Sequence, residues 1–291
     1  MSQKTSVPSE EIISGYLNLL RRLPVVPAVA VSSLLPVLPV RDAARPCAII
    51  LSPHPDDECL TGALALRLLH EQNWQIITIA VTIGSNVGRR VARKNELAKA
   101  CAVLGFDCVL PHEDGFSDVS EKTRAEDFLA WPKMVARVAD MIAHVKPQAV
   151  FMPHALDAHP AHIGTHYLGM DALAKQAAGF TCSVIQTEYW HPLAEPNLMI
   201  GIGETDAATL LSALACHEGE NARNPFDARF PAFLIDNVRR GSEIVGGAGV
   251  AAAAMDFAML YKFGIWRGGK FVPSALKRMI GDTQAVGTLF E

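Results

Sequence analysis

The stretch CAIILSPHPDDECLTGALALRLL, residues 47–69, decides the fold. Its first six residues, Cys47 to Ser52, are apolar and short, as a strand buried on both faces requires. Pro53 and Pro55 break that run, and apolar residues resume at helical spacing from Cys59 to Leu69, through Leu60, Ala63, Leu64, Leu66 and Leu68. A second strand is expected at 74–83, WQIITIAVTI, which completes a strand–helix–strand unit. The alternation continues outward. A loop with Gly84, Asn86 and Gly88 leads into a helix over 90–104, with further strands at 108–110, 148–152 and 183–190 and helices over 124–144 and 162–178. This pattern predicts an α/β fold, a Rossmann-like and mostly parallel sheet with helices on both faces. Beyond residue 190 the signal weakens: a helix near 207–217 is expected, and the glycine- and alanine-rich 246–260 reads as a packed helix or a pocket wall.

The flanks add a second feature. A short helix over 10–22 carries Ile12, Ile13, Tyr16, Leu17 and Leu20 on one side, and LPVVPAVAVSSLLPVLPV follows at 23–40. That run is apolar but holds four prolines, which break the continuous helix of about 20 residues that a membrane span needs. It is read as a proline-rich N-terminal arm packed on the domain, with peripheral membrane contact, a partner or second-subunit surface, and a cleavable targeting segment as the alternatives. The expected organisation is 1–45 for helix and arm and 46–291 for one domain, a length that buries a large core. Half of the residues are apolar and charged residues are 19%, against about 25% in an average domain, which argues against disorder. A formal charge of −4 points away from nucleic acid. Of six scattered cysteines, without a CxxC pair, Cys47, Cys59, Cys101, Cys108 and Cys182 are expected as buried free thiols in a reducing, cytoplasmic setting, and Cys216 precedes His217.

In open α/β sheets ligands bind beyond the carboxyl ends of the strands, and both histidine-bearing loops fall there. In the first, His54 and Asp57 offer a nitrogen and an oxygen ligand to zinc, with iron an alternative for the same donors. Asp56 is then free to act as a base toward metal-activated water. An acidic helix start would also explain Asp56, Asp57 and Glu58, yet three acids beside a buried strand end repel one another without a cation. The second loop, PHALDAHPAHIGTH at 153–166, holds His154, His159, His162 and His166, four of the ten histidines in the chain. A catalytic zinc site takes three protein ligands and keeps one position open. The spacing alone leaves His159, His162 and His166 all eligible as the third.

These residues resemble the PIG-L family of zinc-dependent de-N-acetylases, also called LmbE-like. The resemblance rests on the strand followed by His54-Pro55-Asp56-Asp57-Glu58 and on His159-Pro160-Ala161-His162, and extends through the loop at 84–88, Arg93 with Glu96, and Asp114-Gly115. It implies His54, Asp57 and His162 as metal ligands, Asp56 as general base and His159 as the group that meets the oxyanion. Arg93 and Asp114 become substrate-binding candidates. The implied reaction is removal of an N-acetyl or other N-acyl group from an amino sugar or glycoconjugate by metal-activated water. One position departs from the family, which often has an acid where this chain has Ala161; Asp157 is the nearby candidate to replace it. Cys216-His217-Glu218-Gly219 is only faintly similar to a family histidine segment, and His217 stays outside the catalytic set. The competing class is a metal-binding structural or interaction protein of the same fold. A dinucleotide enzyme is disfavoured because the first strand leads into carboxylates instead of a glycine-rich phosphate loop.

Overall fold

The computed structural model describes residues 6–29, 38–39 and 41–290. Within them the strands are β1 (Cys47–Ser52), β2 (Gln75–Ala80), β3 (Asp107–Val109), β4 (Ala149–Pro153), β5 (Cys182–Thr187), β6 (Leu198–Ile202), β7 (Phe257–Arg267), β8 (Lys270–Pro273) and β9 (Arg278–Ile280). They form one nine-stranded sheet in the order β3-β2-β1-β4-β5-β7-β6-β9, with β8 paired to β7. The half from β3 to β5 is parallel throughout, as the alternation of strands and helices predicts.

Strand β1 shows how sequence sets the layers. Ala48 and Ile50 join one apolar cluster, with helices Ala63–Gln72, Arg90–Leu104, Glu204–Ala215 and Phe226–Gly241. Cys47, Ile49 and Leu51 join the other, under helices Ala130–Val145 and Pro160–Ala174. Alternate side chains of a strand face opposite ways, so a continuous apolar run is what a sheet covered on both faces requires.

The C-terminal third supplies the antiparallel part of this mostly parallel sheet. β7 runs antiparallel to both β5 and β6 and forms a hairpin with β8, while β9 is parallel to β6. Residues 246–260 are therefore not a packed helix: Gly247 and Gly249 take left-handed backbone angles, φ 119° and 76°, and a strand begins at Phe257. The aromatic-rich FAMLYKFGIWR fits a strand better than a helix. Two expected helices are also interrupted. Asp57–Leu60 and Ala63–Gln72 are separate, and Asp127 breaks 124–144 by accepting hydrogen bonds from the Leu129 and Ala130 amides at 3.0 and 2.7 Å.

The N-terminal helix is present at Ser9–Leu20, but none of its residues is buried. Of the proline-rich arm, 30–37 and 40 lie outside the described residues. In its described part Leu23 and Val25 are 75% and 86% exposed, so these two do not pack on the domain as expected. No helix among the described residues is long and apolar enough to cross a membrane. All six cysteines are buried and free, the five expected so and Cys216 with them.

β1 lies between β2 and β4, so its own helix leads away on one side while the β4 connection leads away on the other. The loops after β1 and β4 consequently part at their carboxyl ends and open a crevice. A third loop closes in from the side. Gly164, in the helix after β4, lets that helix touch residues 119–120, where an added Cβ would lie 2.5 Å from the Val119 carbonyl and the Ser120 nitrogen.

Candidate metal centre

The crevice gathers the residues of both loops. Asp57 Oδ2 lies 3.6 Å from His54 Nδ1 and 3.3 Å from His162 Nε2. It also accepts the His54 backbone N–H at 2.9 Å, which pins the carboxylate to the loop. The His54, His159 and His162 nitrogens lie within 4.8 Å of one another, with ring centroids 4.8 to 5.3 Å apart.

The donor set fits a divalent cation. Ligand atoms about 2.1 Å from zinc at tetrahedral angles stand about 3.4 Å from each other, and the 3.3 and 3.6 Å separations around Asp57 bracket that value. His162 Nε2 is buried and completes no hydrogen bond although a carboxylate oxygen faces it. Buried polar groups normally find partners, and a shared ion supplies one to both. Burial pulls the His162 ring down, but Asp57 and Asp157 outweigh it and lift the ring to about 10. Burial pushes Asp57 up, and His162 and His54 overcome it to hold the carboxyl well below the usual range. The cluster thus recruits positive charge.

Asp157 stands behind His162, with Oδ2 3.5 Å from its Nδ1. A carboxylate on the far nitrogen is how metal-binding histidines are oriented. Asp157 does not replace the acid missing at Ala161, because its Oδ1 accepts the backbone N–H of His159 instead, at 2.9 Å. His159 is fixed another way. Its Nδ1 accepts the Ala161 backbone N–H at 3.2 Å as the N-cap of helix Pro160–Ala174. A neutral ring accepting at Nδ1 carries its proton on Nε2. Burial, with His54 and His162 beside it, lowers this ring to about 4 and keeps it neutral at pH 7.

Asp56 adopts φ 127° and ψ −29°, a conformation that non-glycine residues avoid. Such strain costs roughly 1–3 kcal/mol and persists only where surrounding contacts enforce it. Burial and the adjacent Asp57 raise the Asp56 carboxyl well above its usual range, and Arg93 opposes them. Arg93 Nη2 donates to the Pro55 carbonyl at 3.1 Å and lies 4.0 Å from Asp56 Oδ2. It passes over Gly84, whose φ of 83° and missing side chain make the room: a Cβ there would lie 2.2 Å from Arg93 Nη1. Glu96 is not the partner of Arg93 and instead accepts the Gly219 amide at 2.9 Å.

His54, Asp56, Arg93 and His159 share the wall of one cavity of about 810 Å³. Asp114 is outside this lining, half-exposed and paired with Lys94 and with Arg90, the latter at 3.6 Å. His166 is also turned away, its Nδ1 2.9 Å from the Pro153 carbonyl. Sequence reasoning missed the opposite wall, where Trp190, Glu220, Arg223, Asn224 and Phe226 line the cavity. It also set aside His217, which is 1% exposed with Nε2 2.8 Å from Glu58 Oε1. The signal available for His217 was indirect: a glutamate buried beside Asp56 and Asp57 needs a donor from elsewhere in the chain.

Three histidines and two buried carboxylates, Asp56 and Asp57, converging beside a cavity at the carboxyl edge of an α/β sheet define a metal-binding, hydrolase-type centre. Residues 49–173 match the PIG-L family model, described as GlcNAc-PI de-N-acetylase. Among solved structures, N,N'-diacetylchitobiose deacetylase from Pyrococcus horikoshii is similar at 13% identity and a TM-score of 0.56, over 91% of this chain and 96% of that one. The 4-carboxy-2-hydroxymuconate hydratase GalB from Pseudomonas putida is similar at 17% identity and a TM-score of 0.59, over 75% of this chain and 95% of that one. A conserved protein from Thermus thermophilus gives 17% and 0.56, over 74% and 92%. At these identities the likenesses establish the fold. No curated protein matches the chain.

Proposed function

We propose that the chain is a zinc-dependent deacylase that removes an N-acetyl or similar N-acyl group from an amino sugar or glycoconjugate. One observation carries this reading: a strained carboxylate, Asp56, and a neutral imidazole, His159, share a cavity wall with His54, beside the cluster of His54, Asp57 and His162. A divalent ion held by those three residues would acidify water and polarise an acyl carbonyl. Asp56 takes the proton of the attacking water and returns it to the departing amine. His159 Nε2–H donates to the oxygen on which negative charge develops. Arg93 holds the Pro55 carbonyl, and with it the loop that presents Asp56. Trp190 and Phe226 offer flat faces, and Ser85, Ser117, Ser120 and Asn224 offer hydrogen bonds, a combination suited to a sugar ring.

The test is a hydrolysis screen over N-acetylated amino sugars and their glycosides, with metal content quantified for protein loaded with zinc or iron. Acetate and free amine should form in equal amounts, cease after chelation and return on adding metal. Because one fold relative is a hydratase, substrate consumption without amine release would reject the deacylase reading. Within this scheme His159→Ala should slow turnover by about 10²–10³-fold, the effect of losing one oxyanion donor. Bound metal should be retained. Near-normal turnover would remove His159 from the role, and loss of the metal would make it a ligand.

A further inference from the structure

The strained backbone of Asp56 is held from beneath the cavity. Its N–H donates to Glu58 Oε2 at 3.0 Å, and Ser52 Oγ reaches the same oxygen at 3.3 Å. The other oxygen, Oε1, faces His217 Nε2 at 2.8 Å and Cys59 Sγ at 3.5 Å. Glu58 is fully buried and His217 nearly so, and neither lines the cavity. His217 arrives from a distant part of the chain, in the turn after helix Glu204–Ala215. Its own carbonyl accepts the Glu220 and Asn221 amides at 3.0 and 2.9 Å, which begins the segment carrying Glu220, Arg223 and Asn224 to the far wall.

We propose that Glu58 and His217 are positioning residues for the reaction: His217 orients the buried Glu58 carboxylate, which clamps the Asp56 amide and aims the Asp56 side chain at the cavity. The geometry singles out this pair because Asp56 has an unfavourable φ and Glu58 is the acceptor of its amide. A carboxylate accepting from one side only would be free to swing, and the His217 contact on the opposite oxygen removes that freedom. The same link joins the substrate-facing far wall to the base, since a shift of the 217–226 segment moves His217 and hence Glu58. The inference rests on Asp56 being the base.

The discriminating experiment compares His217→Gln with His217→Asn in metal-loaded, full-length protein, alongside Asp56→Asn. A glutamine amide nitrogen reaches the place of Nε2, whereas the shorter asparagine amide does not. His217→Gln should keep kcat within about threefold, while His217→Asn should lose about 10–100-fold, the scale of a misplaced reacting group. KM and bound metal should match the unsubstituted protein in both. Exchange of the Asp56 amide with deuterated solvent should accelerate in His217→Asn alone. Equal kcat for the two variants, or a loss in His217→Asn that follows bound metal, overturns the positioning role. An active Asp56→Asn enzyme would instead overturn the base assignment, and the positioning inference with it. An inactive one with an unimpaired His217→Asn enzyme sinks the positioning inference alone.

Discussion

Replacing Asp56 with Asn lowers turnover by about 10²–10⁴-fold, the contribution of a positioned acid–base group, while bound metal and folding stay intact. The substitution changes little except proton affinity. The asparagine amide has nearly the shape of the carboxylate, the backbone N–H still donates to Glu58, and Asp57 and both histidines around it are untouched. The physical cost of the native residue sharpens the expectation. A buried carboxylate next to Asp57, in a left-handed conformation, is unfavourable to the fold. Asn relieves the repulsion and tolerates positive φ better than most residues. The variant is therefore expected to melt at the same temperature as the parent or higher, the inverse coupling of stability and activity found at strained sites. Steady-state rates, metal analysis and a melting curve on the same sample check all three. A rate within fivefold of the parent would remove Asp56 as base, and a lost metal would make it a ligand.

How much of this centre was legible in the sequence depended on distance along the chain. His54, Asp56 and Asp57 stand within four residues, and His159 and His162 within another four, each group directly after an apolar strand. Local spacing and strand-end placement were enough to bring the two loops together. The parallel half of the sheet was readable for the same reason, because β1 to β4 are each followed by a helix with its own periodicity. β7 was not. Only Met255 and Asp256 separate the glycine- and alanine-rich 246–254 from Phe257, and the antiparallel partners of the strand lie far away at 182–187 and 198–202. His217 failed for a similar reason, since its role exists only through Glu58, 159 positions earlier. Asp157 was seen as a stand-in for the acid absent at Ala161. Only the geometry shows that it serves His162, while the Ala161 backbone amide fixes the ring of His159.

The largest stability effect is expected at Arg67, remote from the chemistry. Its side chain is almost fully buried in helix Ala63–Gln72, and its guanidinium spends its donors on one cluster of acceptors. Nη1 donates to the Gly201 carbonyl at 2.8 Å and the Gly281 carbonyl at 3.0 Å, Nη2 to the Gln284 carbonyl, and Nε to Glu71. Glu71 in turn accepts the Val286 amide at 3.0 Å. A single cation thus ties the end of β6, the end of β9 and the C-terminal turn to the helix between β1 and β2. Arg67→Ala leaves those carbonyls and the Glu71 carboxylate short of donors and opens a cavity around the lost side chain. Losing a buried side chain that leaves a cavity and carbonyls without donors costs about 3–5 kcal/mol, while the solvent-exposed Glu71 adds little. At roughly 2–4 °C per kcal/mol for a large domain, the melting temperature should fall by roughly 6–20 °C. Arg239→Ala, which breaks an exposed pair with Asp236, is the near-neutral control. Because Arg67 lies outside the cavity lining, turnover per folded, metal-loaded molecule should be unchanged at temperatures well below the transition. A denaturant titration that shows the two arginine variants equally stable would mean the clamp contributes little. A rate loss at full folding would show that the C-terminal tether also shapes the centre.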